Sequence, residues 1–157
     1  MRSVVTRALP SDNTTMPSTI RTTRRVEFRD TDAAGIVHFS VFFTYMEEAE
    51  HELWWQIGLS VKHKFDDGVL TWPRVSAHCD YVSPIRFEDM IDIDVTVERI
   101  GTKSIVFVFQ MSQAGRHVAT GKLTAVCCRL TPSGPPESIV IPDEIRARLN
   151  TLVEEIE

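Results

Sequence analysis

Asp30-Thr-Asp32-Ala-Ala-Gly35-Ile-Val-His38-Phe39-Ser40-Val-Phe-Phe-Thr-Tyr45-Met-Glu47-Glu-Ala-Glu50-His-Glu-Leu-Trp-Trp-Gln-Ile57 is the stretch on which the fold turns. Its opening, Asp30 to Gly35, is turn chemistry. Asp bonds nearby backbone N–H groups and Gly tolerates positive φ, so both favour tight turns. From Ser40 the pattern becomes that of a helix reaching Ile57. Phe42, Met46, Ala49, Leu53 and Ile57 fall at i, i+4, i+7, i+11 and i+15, on one face, and Tyr45 borders it. Phe43 and Trp54 form a second apolar stripe, roughly 100° away round a 3.6-residue turn. A helix apolar on more than one side is usually buried on more than one side. This helix requires other elements wrapped around it.

The rest of the chain supplies the wrapping. Ile20 to Phe28 reads as extended. Leu70–Val82 reads as a mixed strand, with Pro73 inside it marking an edge or a bulge. Ile91-Asp-Ile-Asp-Val-Thr-Val-Glu alternates strictly, so one face is buried and the other wet. Gly101-Thr102 makes a turn. Ser104–Met111 is apolar on both faces and suits a central strand, and Gln113-Ala-Gly-Arg marks the next turn. Val118–Leu130 reads as one long strand. Its face of Ala119, Gly121, Leu123, Ala125 and Cys127 is small enough for something bulky to approach, for instance the wrapped helix. A second helix is expected over 143–156, with Asp143 as N-cap and Ile145, Leu149, Leu152 and Ile156 as its apolar stripe. Strands joined by short turns pair antiparallel, and a helix laid across such a sheet is an α+β two-layer arrangement.

Composition narrows the class. The 157 residues make one ordinary domain with enough chain for a core. No apolar run reaches the ~18–20 residues a membrane span requires. Residues 9–19 are polar with two prolines, so residues 1–20 are expected to form a flexible arm ahead of a single domain at 21–157. Arg2 and Arg7 have no apolar segment behind them, which argues against a secretory signal. Cys79, Cys127 and Cys128 make a poor disulfide framework and point to a reducing cytoplasm. No Cys-x-x-Cys or His-x-x-x-His pair suggests a metal, and no cofactor is expected. Residues 1–25 hold five Arg and one acid, leaving 12 basic and 21 acidic residues in 26–157, a net charge of −9. An acidic body of that kind is not a general nucleic-acid binder. There is no Gly-x-Gly-x-x-Gly and no Gly-Lys-Ser/Thr, so nucleotide hydrolysis and dinucleotide binding lose their usual support. The second helix carries acids beside Arg146 and Arg148 on its polar face and reads as packing rather than membrane binding.

The run Val26-Glu-Phe-Arg-Asp30-Thr-Asp32-Ala-Ala-Gly35-Ile-Val-His38-Phe39, followed by the helix with Tyr45 and Glu47, resembles the 4-hydroxybenzoyl-CoA thioesterase family of hotdog proteins. The core of that signature is Asp-x-Asp-x-x-Gly-x-Val ahead of a long helix. Tyr81-Val-Ser-Pro84, Phe87-Glu-Asp89 and Gly101-Thr-Lys-Ser104 fit it too, and the resemblance covers roughly residues 22–132. It implies a hotdog fold, an antiparallel sheet wrapped around the long central helix. It also implies homodimers joined sheet to sheet, often assembled into homotetramers, and an acyl-CoA substrate. Family members often carry Tyr or Trp where His38 stands and Tyr or His where Phe39 stands.

Thioester hydrolysis needs a nucleophile or base, donors where the carbonyl oxygen gains charge, and room for the acyl group. Asp32 matches the second Asp of the motif, so the resemblance makes it the catalytic carboxylate. It could attack directly or deprotonate water, and a plain turn role is the alternative. Asp30 is expected to brace the turn. By the same analogy the backbone N–H near Phe39, at the positive end of the helix, is the oxyanion donor. Gly35 allows the tight turn and close ligand approach. Glu47 is a rival carboxylate on the stripe of Phe43 and Trp54, with an interface ion pair as the alternative. Glu48, Glu50 and Glu52 are expected at solvated or rim positions. His38 and Tyr45 are candidate substrate contacts, and Lys103 and Ser104 are candidate contacts for the CoA phosphates. Three other readings stand beside hydrolysis of acyl-CoA: an acyl-carrier-protein thioesterase, a hotdog hydratase or dehydratase, and a non-enzymatic acyl-CoA binding module. The hydratase reading lacks a paired His and acid.

Overall fold

The computed structural model describes residues 18–65 and 68–153. Strand β1 (Thr19–Arg25) leads through a 3-10 turn at Phe28–Asp30 to the helix α1 (Val41–Gln56). Then come β2 (His63–Phe65), β3 (Gly68–Thr71), β4 (Arg74–Tyr81), β5 (Met90–Ile100), β6 (Ser104–Gln113), β7 (Arg116–Val126), β8 (Cys128–Arg129), β9 (Glu137–Ser138) and α2 (Asp143–Asn150). Five strands make the main sheet in the order β1-β5-β6-β7-β4, every neighbour antiparallel. The others make a small sheet, β2-β3-β8-β9. The main sheet wraps α1, which is the α+β hotdog fold.

The strand patterns explain which face meets the helix. In β5, Ile91, Ile93, Val95 and Val97 are buried, and Asp92, Asp94 and Thr96 alternate with them on the wetter face. There Arg21 grips Asp94 with two bonds of 2.7 Å. Strand β6 lies at the centre of the sheet, which is why it is apolar on both faces: Ile105, Val106, Phe107, Phe109 and Met111 are all buried. The small-residue face of β7 is where the helix comes closest. A Cβ on Gly121 would lie 2.0 Å from Met46 Sδ. Met46 is itself fully buried, so its thioether has little room to move aside.

Two long strands expected from the sequence are each divided between the sheets. Leu70–Val82 breaks at Trp72-Pro73, with β3 in the small sheet and β4 at the edge of the main one. Proline has no N–H for a ladder bond, and a bulge follows between Arg74 and Ser76. Val118–Leu130 breaks at Cys127 opposite that point, where Val126 N–H donates to the Pro73 carbonyl at 3.0 Å. The sheet also begins earlier than expected. Thr19 and the buried Ile20 lie in β1 rather than in the arm, and residues 1–17 of the arm lie outside the described residues.

Helix α2 is shorter than expected. Asp143 is its first residue and Pro142 takes the cap position, so the Asp acts in the first turn, where the helix dipole favours an acid. The helix ends at Asn150, and Ile156 lies outside the described residues. Ile145, Leu149 and Leu152 are buried as the stripe requires. Arg148 donates to the carbonyls of Ile57 and Gly58 at 3.1 and 3.2 Å, a cation on the negative end of α1.

Gly121→Ala is expected to cost about 2 kcal/mol of stability through overpacking against Met46. In urea denaturation, the costs of Gly121→Ala and Met46→Ala should sum to more than the cost of the double variant. Additive costs would show that the two residues do not constrain each other.

Candidate active site at the head of the central helix

The loop before α1 is tied down on every side. Asp30 Oδ2 accepts from the Glu27 N–H at 2.9 Å and from the Tyr45 hydroxyl at 2.8 Å. The Asp30 carbonyl accepts from the His38 N–H at 2.9 Å, and Val37 N–H donates to the Ile85 carbonyl at 2.8 Å. Between these ties Asp32 N–H donates to Ile36 O, Gly35 N–H donates to Asp32 O, and Ala34 N–H donates to Asp32 Oδ1 at 2.8 Å. Gly35 has φ +74, and no atom lies within 4 Å of where its Cβ would be. The backbone angle, rather than close packing, is what calls for glycine here.

The loop forms one wall of a cleft of about 450 Å³. Ile36, Val37, Phe42, Pro84 and Ile85 make most of it apolar. Asp32, Ser83 and Tyr81 bring the polar side chains. One oxygen of Asp32 is held by Ala34, and among the described residues Oδ2 has no hydrogen-bond partner. Phe39 also lines the cleft, and its N–H has no acceptor among the described residues. Tyr81 donates its hydroxyl to the Phe39 carbonyl at 2.8 Å and sets its ring edge-on to Phe42, with centroids 4.9 Å apart. Asp32, with one carboxylate oxygen unengaged, and Phe39, with an unengaged N–H, thus both line one apolar cleft at the positive end of α1.

The other sequence candidates fall elsewhere. His38 does not line the cleft; its Nδ1 accepts the Ser40 N–H at 3.3 Å and sits 2.8 Å from Ser40 Oγ. Tyr45 is in the core with its hydroxyl committed to Asp30. Burial, with help from that bond, pushes its pKa well above the usual phenol value. Lys103 and Ser104 sit at the β5–β6 turn, whereas the cleft lies beside the opposite end of β5. An 11-residue strand separates them by roughly 35 Å at ~3.3 Å per residue. Lys103 Nζ is 3.4 Å from Ser138 instead.

Glu47 is 53% exposed, with Arg74 Nη2 at 3.9 Å and His51 Nε2 at 4.0 Å. The buried acid of this helix is Glu50, expected to be solvated but 0% exposed. Glu50 accepts from Arg74 Nη2 at 2.6 Å and from Trp54 Nε1 at 3.1 Å. Burial pushes its pKa up, and the Arg74 guanidinium opposes the shift. The local signal for it was Trp54 at i+4, whose indole N–H needs an acceptor when buried. Among the described residues, no three His, Cys, Asp or Glu side chains gather as a metal site, and no helix is long and apolar enough to cross a membrane.

Residues 26–149 match the thioesterase-like superfamily. The chain is 26% identical over 133 residues to a 1,4-dihydroxy-2-naphthoyl-CoA hydrolase of Thermosynechococcus vestitus, spanning 84% of this chain and 89% of that one. A gentisyl-coenzyme A thioesterase structure superposes with a TM-score of 0.72 at 26% identity, over 83% of this chain and 99% of its own. A 4-hydroxybenzoyl-CoA thioesterase mutant complexed with 4-hydroxybenzoyl-CoA superposes with a TM-score of 0.75 at 19% identity, over 84% and 99%, a likeness of fold. Fold and relatives together define a hotdog-fold enzyme that hydrolyses thioesters. The chain belongs to the thioesterase-like superfamily.

Arg74→Met would leave Glu50 buried without its cation, at a cost of about 3 kcal/mol near neutral pH. The pKa of Glu50 is raised on folding, so the stability it contributes is present below its unfolded pKa and lost as pH rises through the folded one. The deficit of Arg74→Met should therefore be smaller at about pH 5 than at about pH 8. Denaturant titrations at both values check this, and a deficit independent of pH would contradict it.

Proposed function

We propose that the chain hydrolyses acyl-CoA thioesters to a carboxylic acid and CoA, with Asp32 as nucleophile or general base and the Phe39 N–H as oxyanion donor. The observation that carries this is that one apolar cleft is lined by both Asp32 and Phe39, whose carboxylate Oδ2 and backbone N–H lack partners among the described residues. The thioester oxygen would lie against the N–H, at the positive end of α1, while Asp32 attacks the carbonyl carbon or takes the proton of an attacking water. Gly35 holds the turn that carries the carboxylate. An aryl acyl group suits the walls, because the rings of Phe42 and Tyr81 meet edge to face there. The hydroxynaphthoyl and gentisyl substrates named for the relatives support the same class.

A homodimer is part of this reading, with the chain from Thr19 onward as one domain. Strand β4 is an open edge of the main sheet and runs directly into the cleft wall at Tyr81. Val75 on that edge and Val82 just beyond its end are 64% and 61% exposed. A second copy pairing β4 to β4 would join the sheets and bring its own residues to both clefts. Free thiols at Cys79, Cys127 and Cys128 support a reducing compartment such as the cytoplasm.

The first test is turnover of a small acyl-CoA panel (aliphatic, benzoyl, hydroxybenzoyl), read with a thiol-reactive dye. Wild type should turn over the aryl esters fastest. Asp32→Asn should lose at least about a hundredfold in kcat while still binding the ester. Unchanged turnover in Asp32→Asn would remove the carboxylate from the mechanism. Sedimentation should find a dimer, and a stable monomer at about micromolar concentration would rule out the assembly.

A further inference from the structure

The hydroxyl of Tyr81 donates to the carbonyl oxygen of Phe39 at 2.8 Å, and the neighbouring Cys79 thiol bonds the same hydroxyl. That carbonyl belongs to the peptide joining Phe39 to Ser40. The N–H of the same peptide is taken by His38 Nδ1 at 3.3 Å. This peptide is therefore held at both ends. The peptide before it, joining His38 to Phe39, presents the N–H that has no acceptor among the described residues. One residue further back, the His38 N–H is fixed on the Asp30 carbonyl at 2.9 Å. The free donor is thus bracketed by bonded groups on either side.

Tyr81 reaches this loop from the opposite wall of the cleft, 42 residues along the chain. Its ring is braced edge-on against Phe42, in the first turn of α1. The hydroxyl touches no atom of the proposed reacting groups. Its bond restrains the torsion on the carboxyl side of the Phe39 Cα, and the His38 N–H on Asp30 restrains the chain on the other side, so the peptide that carries the Phe39 N–H is held between two anchors. A donor for a developing oxyanion is effective only when its direction is set beforehand, and a misplacement of about 1 Å can cost around a hundredfold in rate.

We infer that Tyr81 is a positioning residue for thioester hydrolysis: its hydroxyl ties β4 to the head of α1 and aims the Phe39 N–H into the cleft. The inference rests on the reading of that N–H as the oxyanion donor. Removing the hydroxyl leaves the Asp30–His38 and Val37–Ile85 bonds in place, so the loop keeps its path while the Phe39–Ser40 peptide loses its tether at the carbonyl end.

The test uses Tyr81→Phe in the full chain, which keeps the ring and deletes the bond to the Phe39 carbonyl together with that to the Cys79 thiol. With benzoyl-CoA, kcat should fall about tenfold, the effect of one hydrogen bond, while KM changes by no more than about twofold. The second readout is the infrared carbonyl band of benzoyl-CoA labelled with carbon-13 at the thioester carbonyl, bound to Asp32→Asn. Binding should lower its frequency, and adding Tyr81→Phe should remove most of that displacement. No binding, or no displacement in Asp32→Asn alone, would overturn the oxyanion reading and this inference with it. A displacement that survives Tyr81→Phe, or a kcat that Tyr81→Phe leaves unchanged, would overturn the role of Tyr81 alone.

Discussion

The thioether of Met46 lies where a side chain at position 121 would have to be, and Gly121 is what lets α1 settle onto β7. The rest of the architecture follows from that depth. Held so close, the helix buries Phe42, Tyr45, Met46, Ala49, Leu53 and Trp54 against the main sheet and the elements around it. Fully burying a large apolar side chain stabilises by about 1.5–3 kcal/mol, so this one helix anchors the core. Its far end is closed by Arg148 of α2 on the last carbonyls. Its near end is left beside the loop that carries Asp32 and opposite the strand end that carries Tyr81.

Two kinds of polar group meet that buried helix, and they are handled differently. Glu50 is sealed in with Arg74 and the indole of Trp54, so its charge is neutralised where it lies. The carboxylate of Asp32 is held by one oxygen only, at the mouth of an apolar cleft. The first arrangement is a structural tie between the helix and the edge strand. The second leaves bonding capacity for something that enters from outside. The same contrast separates Tyr45, whose hydroxyl braces Asp30 within the core, from Tyr81, whose hydroxyl shapes the cleft itself.

What could be read from the sequence was what short-range periodicity records. The helix, the alternation of β5, the central position of β6 and the small face of β7 all express local patterns. So does the motif around Asp32 and Gly35, which the loop geometry places beside a cleft. The sheet change at Pro73 was half legible: the proline marked an irregularity, but only pairing with distant strands decides which sheet each half joins. Glu50 and Tyr81 escaped because their partners, Arg74 and Phe39, lie 24 and 42 residues away. The distance of Lys103 and Ser104 from the cleft was hidden for a related reason. A turn motif shows that a turn exists, not which end of the sheet it occupies.

The central claim is that a thioester sits with its carbonyl oxygen on the Phe39 N–H and its carbonyl carbon facing residue 32. A crystal structure of Asp32→Asn with an intact aryl-CoA ester tests it most directly. The account predicts the thioester oxygen about 3 Å from the Phe39 nitrogen, with the aryl ring in the cleft between Phe42 and Tyr81. An ester bound elsewhere, or bound in the cleft with its carbonyl turned away from the head of α1, would contradict it.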